Sequence, residues 1–387
     1  MPTSPIILQV LPELVSGGVE RGTIEICEGL HHEGWTALVA SAGGPLVESV
    51  KRAYGKHFEL PLDSKNPFVI WRNAAHLEEI IRVNRVDIVH ARSRAPAWSA
   101  YIAAKRTKTP FVTTFHGFYS IDNEWKRKYN SVMVKGDRVI AVSNFVAEHM
   151  KKEYSFDHDK LRVIHRGVDL RQFRPDLVNG HRVMQLAEKW HVPDDLPLIL
   201  MPGRITRWKG HHILLQALAS LPHRKFFCMI VGDANKHPGY LKELEELITN
   251  LNLAGHVRFA PATPHMANAY GMSDVVVCPS TEPETFGRIP VEAQAMGKPV
   301  ISTNHGGACE TIIDGETGFL VPPGNVEALA HKIQFVLDMS DTQKQELAYR
   351  AMEHVHMHFT TERMCAATFD VYDELLAMTR QRILQAA

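Results

Sequence analysis

The sequence predicts an α/β protein made of two doubly wound parallel-sheet domains in tandem. Three observations predict it. Short β-rich apolar runs alternate with longer amphipathic ones. The alternation lapses once, between Arg171 and Asp195, and then resumes. The composition, 45% apolar and 22% charged over 387 residues, is that of an ordinary globular α/β protein of two or three domains. Strands covered on both faces read as short, nearly continuous apolar runs, and these fit that description.

In the first half, strands are expected at Ile6–Leu11, Thr36–Ser41, His57–Pro61, Val86–His90, Phe111–Phe115, Arg138–Val142 and Leu161–His165. Helical patterns lie between them, as at Ala74–Val83 and Asn144–Tyr154. The lapse contains Phe173-Arg174-Pro175-Asp176, a polar helix-like segment and Val192-Pro193-Asp194-Asp195. The predicted division is therefore a first domain over residues 1–175, a linker over 176–195 and a second domain over 196–360. The second series of strands is Leu198–Met201, Phe226–Val231, Val257–Ala260, Val275–Cys278, Val300–Ser302 and Phe319–Val321. After Pro323 the pattern is helical throughout. A ligand is expected where the strand ends of the two domains face each other across a cleft.

The chain is neutral overall, but its halves are not. Met1–Pro175 carries 25 Lys and Arg against 19 Asp and Glu, and the remainder 18 against 24. That asymmetry suits a first domain that meets an anionic partner or surface. The five cysteines form no Cys-x-x-Cys pair, which argues for reduced thiols. No signal-peptide pattern is visible, and no apolar run approaches the ~20 residues of a membrane span. A soluble, cytoplasmic protein is the expectation.

Chemistry concentrates in a few loops. Ser280-Thr281-Glu282-Pro283-Glu284-Thr285-Phe286-Gly287-Arg288 leads from a buried strand into a helix that carries Glu292 about one turn inside. Glu284 then lies at the carboxyl end of a parallel strand, where open sheets bind ligands. Amides around Gly287 and Arg288 can meet an anion at the helix start. A ligand with hydroxyls on both sides of a phosphate, such as a nucleotide sugar, fits that layout. A helix-capping acid with a surface glutamate is the plainer explanation, and the loop glycine and the anion-binding features upstream weigh against it.

Pro202-Gly203-Arg204-Ile205-Thr206-Arg207-Trp208-Lys209-Gly210 also joins a strand to a helix. Its cations make a site for a diphosphate, and Arg204 and Lys209 can stabilise a leaving nucleoside diphosphate without a metal. Arg207 is expected on the surface and Trp208 under the loop. Ser16-Gly17-Gly18 follows the first strand and opens a helix, letting a ligand approach the backbone. Phe115-His116-Gly117-Phe118 ends another strand.

These motifs resemble those of the family 4 glycosyltransferases of the GT-B fold, from Gly17 to about Gly318 and in the family's order. The resemblance implies two Rossmann-like domains, with the helix over 361–387 returning to the first. It implies an enzyme of the hexosyltransferase type that moves a sugar from a UDP-, GDP- or ADP-sugar to an acceptor hydroxyl with retention of configuration. Arg204 and Lys209 would clamp the diphosphate, Glu284 would contact the donor sugar and Glu292 the ribose. Backbone at Pro261 and Ala262 would hold the base. Gly203, Thr285, Phe286, Gly287 and Arg288 complete the donor set. Gly17 and Gly18 would close over the phosphates and border the acceptor, and His116 would lie near the donor sugar. No cofactor or metal is implied. Arg166 replaces the family's Asn in His165-Arg166-Gly167-Val168-Asp169, which leaves its role open. Asn304-His305-Gly306-Gly307-Ala308-Cys309-Glu310 resembles the loop that supports the nucleotide pocket, with Glu310 as a structural cap.

Two decoys are set aside. Asp157-His158-Asp159 has a metal-binding spacing but precedes a strand, and His354, His356 and His358 cannot all share one helix face. The basic clusters Lys105-Arg106-Thr107-Lys108 and Lys126-Arg127-Lys128, with Trp125, Phe118 and Tyr119 nearby, suit an anionic inner-leaflet surface. They suit solvated helix faces equally well, and no nucleic-acid motif accompanies them. The expected acceptor is a glycan or lipid-linked acceptor of the cell envelope, lipopolysaccharide or exopolysaccharide. The rival readings are a nucleotide-sugar 2-epimerase on the same fold and a non-catalytic binder of nucleotide sugar or membrane.

Overall fold

The computed structural model describes residues 4–15, 17–117, 119, 123–233 and 237–386. Ser16 and Phe118, named above, lie outside them. The chain divides into two compact units, residues 1–166 with 361–387, and residues 167–360.

The first unit runs β1 (Ile6–Val10), α1 (Gly18–His32), β2 (Thr36–Ser41), α2 (Val47–Arg52), β3 (Lys56–Glu59), α3 (Pro67–Asn84), β4 (Ile88–Ala91), α4 (Arg94–Thr107), β5 (Phe111–Phe115), α5 (Glu124–Asn130), β6 (Arg138–Ala141), α6 (Asn144–Glu153) and β7 (Leu161–Val163). Its seven strands are parallel in the order β3-β2-β1-β4-β5-β6-β7, so the order reverses between β1 and β4.

The second unit runs α7 (Gly180–Trp190), β8 (Leu198–Pro202), α8 (His211–Ala219), β9 (Phe227–Val231), α9 (Pro238–Asn250), β10 (Val257–Ala260), α10 (Met266–Met272), β11 (Val275–Cys278), α11 (Arg288–Ala295), β12 (Val300–Thr303), α12 (Ala308–Thr311), β13 (Phe319–Val321), α13 (Val326–Leu337) and α14 (Asp341–His358). The order β10-β9-β8-β11-β12-β13 reverses between β8 and β11. All thirteen expected strands are present, and both sheets are parallel. Central strands such as β1, β5, β8 and β11 are buried along almost their whole length, which is why they read as apolar runs.

α15 (Thr361–Ala386) packs in the first unit. Phe369, Tyr372 and Leu375 enter the core that holds Ile7, Ile26, Ile88 and Val112. The Tyr372 hydroxyl pairs with His90 Nδ1 at 2.6 Å, and Glu374 accepts from both Arg138 and Arg162.

The predicted boundaries need correction. The division falls at Arg166/Gly167, and residues 176–195 are not a bare linker. They carry α7, which buries Leu186 and Trp190 and packs on α10. The polar helix-like segment read in the sequence is this helix, and its buried Leu186 and Trp190, one turn apart, tie it to the second unit. Of the five thiols, Cys309 is exposed and the other four are buried. Among the described residues no helix is long and apolar enough to cross a membrane.

Candidate active site

In the second unit, the loops after β8 and β11 interlock. Gly210 has φ of 77°, and a Cβ there would collide with the Pro279 carbonyl, so only glycine brings the chains this close. The Thr281 amide donates to the Trp208 carbonyl at 2.7 Å and fixes the same contact. The result carries Lys209, only 8% exposed, onto Glu284. Lys209 Nζ donates to Glu284 Oε1 at 2.7 Å, and Ser280 Oγ donates to the same oxygen at 2.7 Å. Burial pushes the Glu284 carboxyl up, but Lys209, the Ser280 hydroxyl and the nearby His305 together hold it below the usual carboxylate range. It is ionised at neutral pH.

Trp208 separates the two cations of the loop. Its ring centroid lies 4.5 Å from Lys209 Nζ and 6.0 Å from Arg204 Cζ, and Arg204 is exposed. One cation is thus fixed and buried, the other displayed to solvent. Arg207 pairs at the surface with Glu243, as its position in the motif suggested.

Glu292 points inward from α11 and is 7% exposed. The Tyr270 hydroxyl donates to its Oε2 at 2.9 Å, and Arg288 Nε lies 3.6 Å from Oε1. Gly287, in the left-handed region at φ 83°, begins α11 without a capping side chain. The Gly306–Gly307 turn cradles this loop. A Cβ on either glycine would strike the backbone of Glu284 or Phe286, and the Gly307 amide donates to the Glu284 carbonyl at 2.7 Å. Phe286 does not offer its side chain to a ligand. It is buried against Phe359, with ring centroids 5.8 Å apart, so only its backbone faces the loop.

A cavity of about 460 Å³ opens at the carboxyl ends of β9 and β10. Ile205, Asp233, Leu241, Phe259, Pro261 and Ala262 line it, so the residues expected at a base share a pocket with the β8 loop. Its volume is that of a small-molecule site. Sequence reasoning named Pro261 and Ala262, which line the cavity, and did not single out Asp233, Ser280 or Tyr270 as site residues. Ser280 meets Glu284 four residues on in its own loop and Tyr270 reaches Glu292 from a neighbouring helix, contacts that no local pattern marks.

In the first unit, Gly17 and Gly18 begin α1 and His116 follows β5. Arg166 joins them. A Cβ on Gly18 would collide with the Arg166 guanidinium, and Arg166 Nη2 lies 2.8 Å from His116 Nδ1. Arginine only donates, so Nδ1 accepts and the His116 proton sits on Nε2. Burial, with Arg166, Arg92 and His90 adding to it, holds His116 well below its ordinary range, so the ring is neutral. The decoys behave as structure. Asp157 caps a short turn ahead of β7, and the rings of His354 and His358 lie 5.0 Å apart on α14.

Two doubly wound units with glycine loops at both reversal points have the makeup of the GT-B fold, and comparison with known proteins identifies a glycosyltransferase. Residues 16–172 match the family model "Glycosyltransferase Family 4", and residues 184–354 match "Glycosyl transferases group 1". A D-inositol 3-phosphate glycosyltransferase of Xylanimonas cellulosilytica is 30% identical over 74% of this chain and 71% of its own. A glycosyltransferase crystal structure from Rickettsia africae superposes with a TM-score of 0.90 at 46% identity, covering 97% of this chain and 99% of that one. The Anabaena HepE structure with UDP and glucose shares the fold, with a TM-score of 0.83, 24% identity and coverage of 95% and 99%. The chain belongs to the family 4 glycosyltransferases and is an enzyme.

Proposed function

We propose that the enzyme transfers a sugar from a nucleotide-sugar donor to an acceptor hydroxyl of a cell-envelope glycan, lipopolysaccharide or exopolysaccharide, with retention at the anomeric carbon. The observation that carries the donor half is the Lys209–Glu284–Ser280 cluster beside Arg204, Glu292 and the apolar cavity. The cavity takes the base, Glu292 the ribose, and Arg204 with Lys209 the diphosphate. An ammonium has three donors, so Lys209 can hold Glu284 and still reach phosphate oxygens.

In the transfer step the bond from the anomeric carbon to the phosphate oxygen breaks and a bond to the acceptor oxygen forms on the same face. The acceptor's proton passes to the departing phosphate. Arg204 and Lys209 stabilise the charge that develops there, the largest kind of catalytic term, and this needs no metal ion. His116, neutral and donating from Nε2, would orient a sugar hydroxyl.

The assay is transfer from UDP-, GDP- and ADP-sugars to envelope-glycan acceptors, with product configuration read by NMR. Glu284→Ala and Lys209→Ala should each remove most turnover. Wild-type rates in both variants, or an inverted product, would overturn the reading.

We propose further that the first unit rests on an anionic inner-leaflet surface through Lys105, Arg106, Lys108, Lys126 and Lys128, with Trp125 inserting. Trp125 is 81% exposed. Tyr119 does not join it, because its ring packs on Phe115 and under Arg94. Sedimentation with phosphatidylglycerol vesicles should fall for Trp125→Ala with Lys126→Gln, and equal binding to phosphatidylcholine would refute the contact.

A further inference from the structure

Lys209 is held by more than Glu284. Its stem crosses the end of β8, where the point a Cβ of Gly203 would occupy lies 3.8 Å from Lys209 Cδ and Cε. Its ammonium then sits over the ring of Trp208, 4.5 Å from the centroid. That is well inside the roughly 6 Å over which an aromatic face attracts a cation, and indole is the strongest aromatic partner. Lys209 is buried and Trp208 half-buried, so water screens the contact little.

Successive side chains on a helical turn diverge, so the loop has to impose a contact between neighbours 208 and 209. The tight turn Arg207–Lys209 is closed by the Lys209 amide on the Thr206 carbonyl at 3.1 Å and the Gly210 amide on the Arg207 carbonyl at 3.0 Å. The Trp208 carbonyl accepts from both the amide and the hydroxyl of Thr281, at 2.7 and 3.2 Å. Trp208 thus spans the two donor loops. Its backbone is bound to the loop that carries Glu284, and its ring faces the cation that Glu284 binds.

A second carboxylate beside Lys209 would repel an incoming diphosphate, and a carbonyl would take one of the ammonium's three hydrogens. An indole face does neither. It attracts the cation through its quadrupole and leaves the hydrogens not given to Glu284 for a ligand. Arg204 Cζ lies 6.0 Å from the same centroid, at the edge of that attraction.

We propose that Trp208 is a positioning residue for the donor's diphosphate, whose indole face holds the Lys209 ammonium in place without consuming a hydrogen bond. The proposal rests on the reading that Lys209 binds that diphosphate.

Fluorine drains charge from an aromatic face and changes its shape little, so tryptophans of increasing fluorine number, placed at position 208 alone by nonsense suppression, grade the contact. The melting temperature of the full chain should fall along the series relative to the same series in Lys209→Met. A ring that only fills space would respond alike in both backgrounds. The second measurement is affinity for the tightest binder among UDP, GDP and ADP, by calorimetry. Trp208→Leu should weaken it by about threefold or more, the fluorinated chains should fall in between, and Trp208→Phe should keep most of it. A fluorine series that is flat in both measurements, or equal affinity for Trp208→Leu and wild type, overturns the proposal. If Lys209→Gln weakens the diphosphate by about tenfold while the fluorine series is flat, the donor reading stands and the proposal falls. If Lys209→Gln changes nothing, the donor reading itself falls, and the role of Trp208 with it.

Discussion

Removing the Lys209 ammonium while keeping its bulk, as in Lys209→Met, leaves the Glu284 carboxylate buried beside Ser280 without its cation. Breaking a buried pair by deleting one partner costs about 3–5 kcal/mol. The side chains of Lys209 and Glu284 are 10% and 19% exposed, and Ser280 still donates at 2.7 Å, so the lower end applies. A loss of about 3 kcal/mol in a unit of this size lowers its melting temperature by roughly 6–12 °C. Adding Glu284→Gln removes the uncompensated charge, and most of the loss should return, giving a coupling of about 2 kcal/mol by differential scanning calorimetry.

The pH dependence follows from the direction of the Glu284 shift. Its carboxyl lies below the ordinary 4.5 in the folded chain, so its contribution is present above that value and is lost as pH falls through the folded one. Without Lys209, burial dominates and the carboxyl rises. The variant should then bind a proton on folding as pH drops toward 5, narrowing its deficit against wild type. Transfer activity must stay low in the double variant even where stability returns. Additive single effects, within about 0.5 kcal/mol, would show that the pair is not coupled and would refute the reasoning.

His211 is fully buried, and burial, aided by Lys209 and His212, lowers it to about 4. The unfolded chain binds that proton more readily, so stability should fall by about 3 kcal/mol between pH 6.5 and 4 and then level off. His211→Phe, packed against Tyr240, should flatten that stretch of the denaturation profile. Tyr270→Phe deletes the hydrogen bond to Glu292, and should cost about 1–2 kcal/mol by urea denaturation while raising the nucleotide KM more than it lowers kcat. Gly210→Ala forces a Cβ into the Pro279 carbonyl, and should cost at least about 2 kcal/mol in urea while disturbing Lys209 enough to reduce transfer. A variant as stable and active as wild type would show that the loops do not need that close approach.

Every strand was legible because parallel strands buried on both faces leave short apolar runs, and β8 and β11 show it plainly. The Lys209 and Glu284 loops were legible because glycines and charges cluster in the chain where a strand becomes a helix. What stayed hidden depends on strand order. Arg92 looks like any arginine after β4 until β1 is placed beside it and Gln9 accepts its Nε. Tyr270 reads as a core aromatic until α10 and α11 bring its hydroxyl to Glu292. Phe286 shows a different limit. Its motif marks a ligand loop, but the motif does not say which way each side chain turns, and this one turns to Phe359.

The two oxygens of Glu284 explain why a carboxylate, and not an amide, suits the position. Both described hydrogen bonds fall on Oε1, one from Lys209 and one from Ser280. Oε2 keeps lone pairs for a further donor, which in the proposed transfer reaction would be a sugar hydroxyl. A glutamine could still accept from Lys209 and Ser280 through its oxygen, but it would present an NH₂ where the carboxylate presents Oε2. The substitution thus separates holding Lys209 from presenting an acceptor at Oε2. The ion pair fixes the lysine in one rotamer before a ligand arrives, which removes an ordering cost of up to about 2 kcal/mol from binding. The depressed carboxyl keeps that arrangement in place across the neutral range.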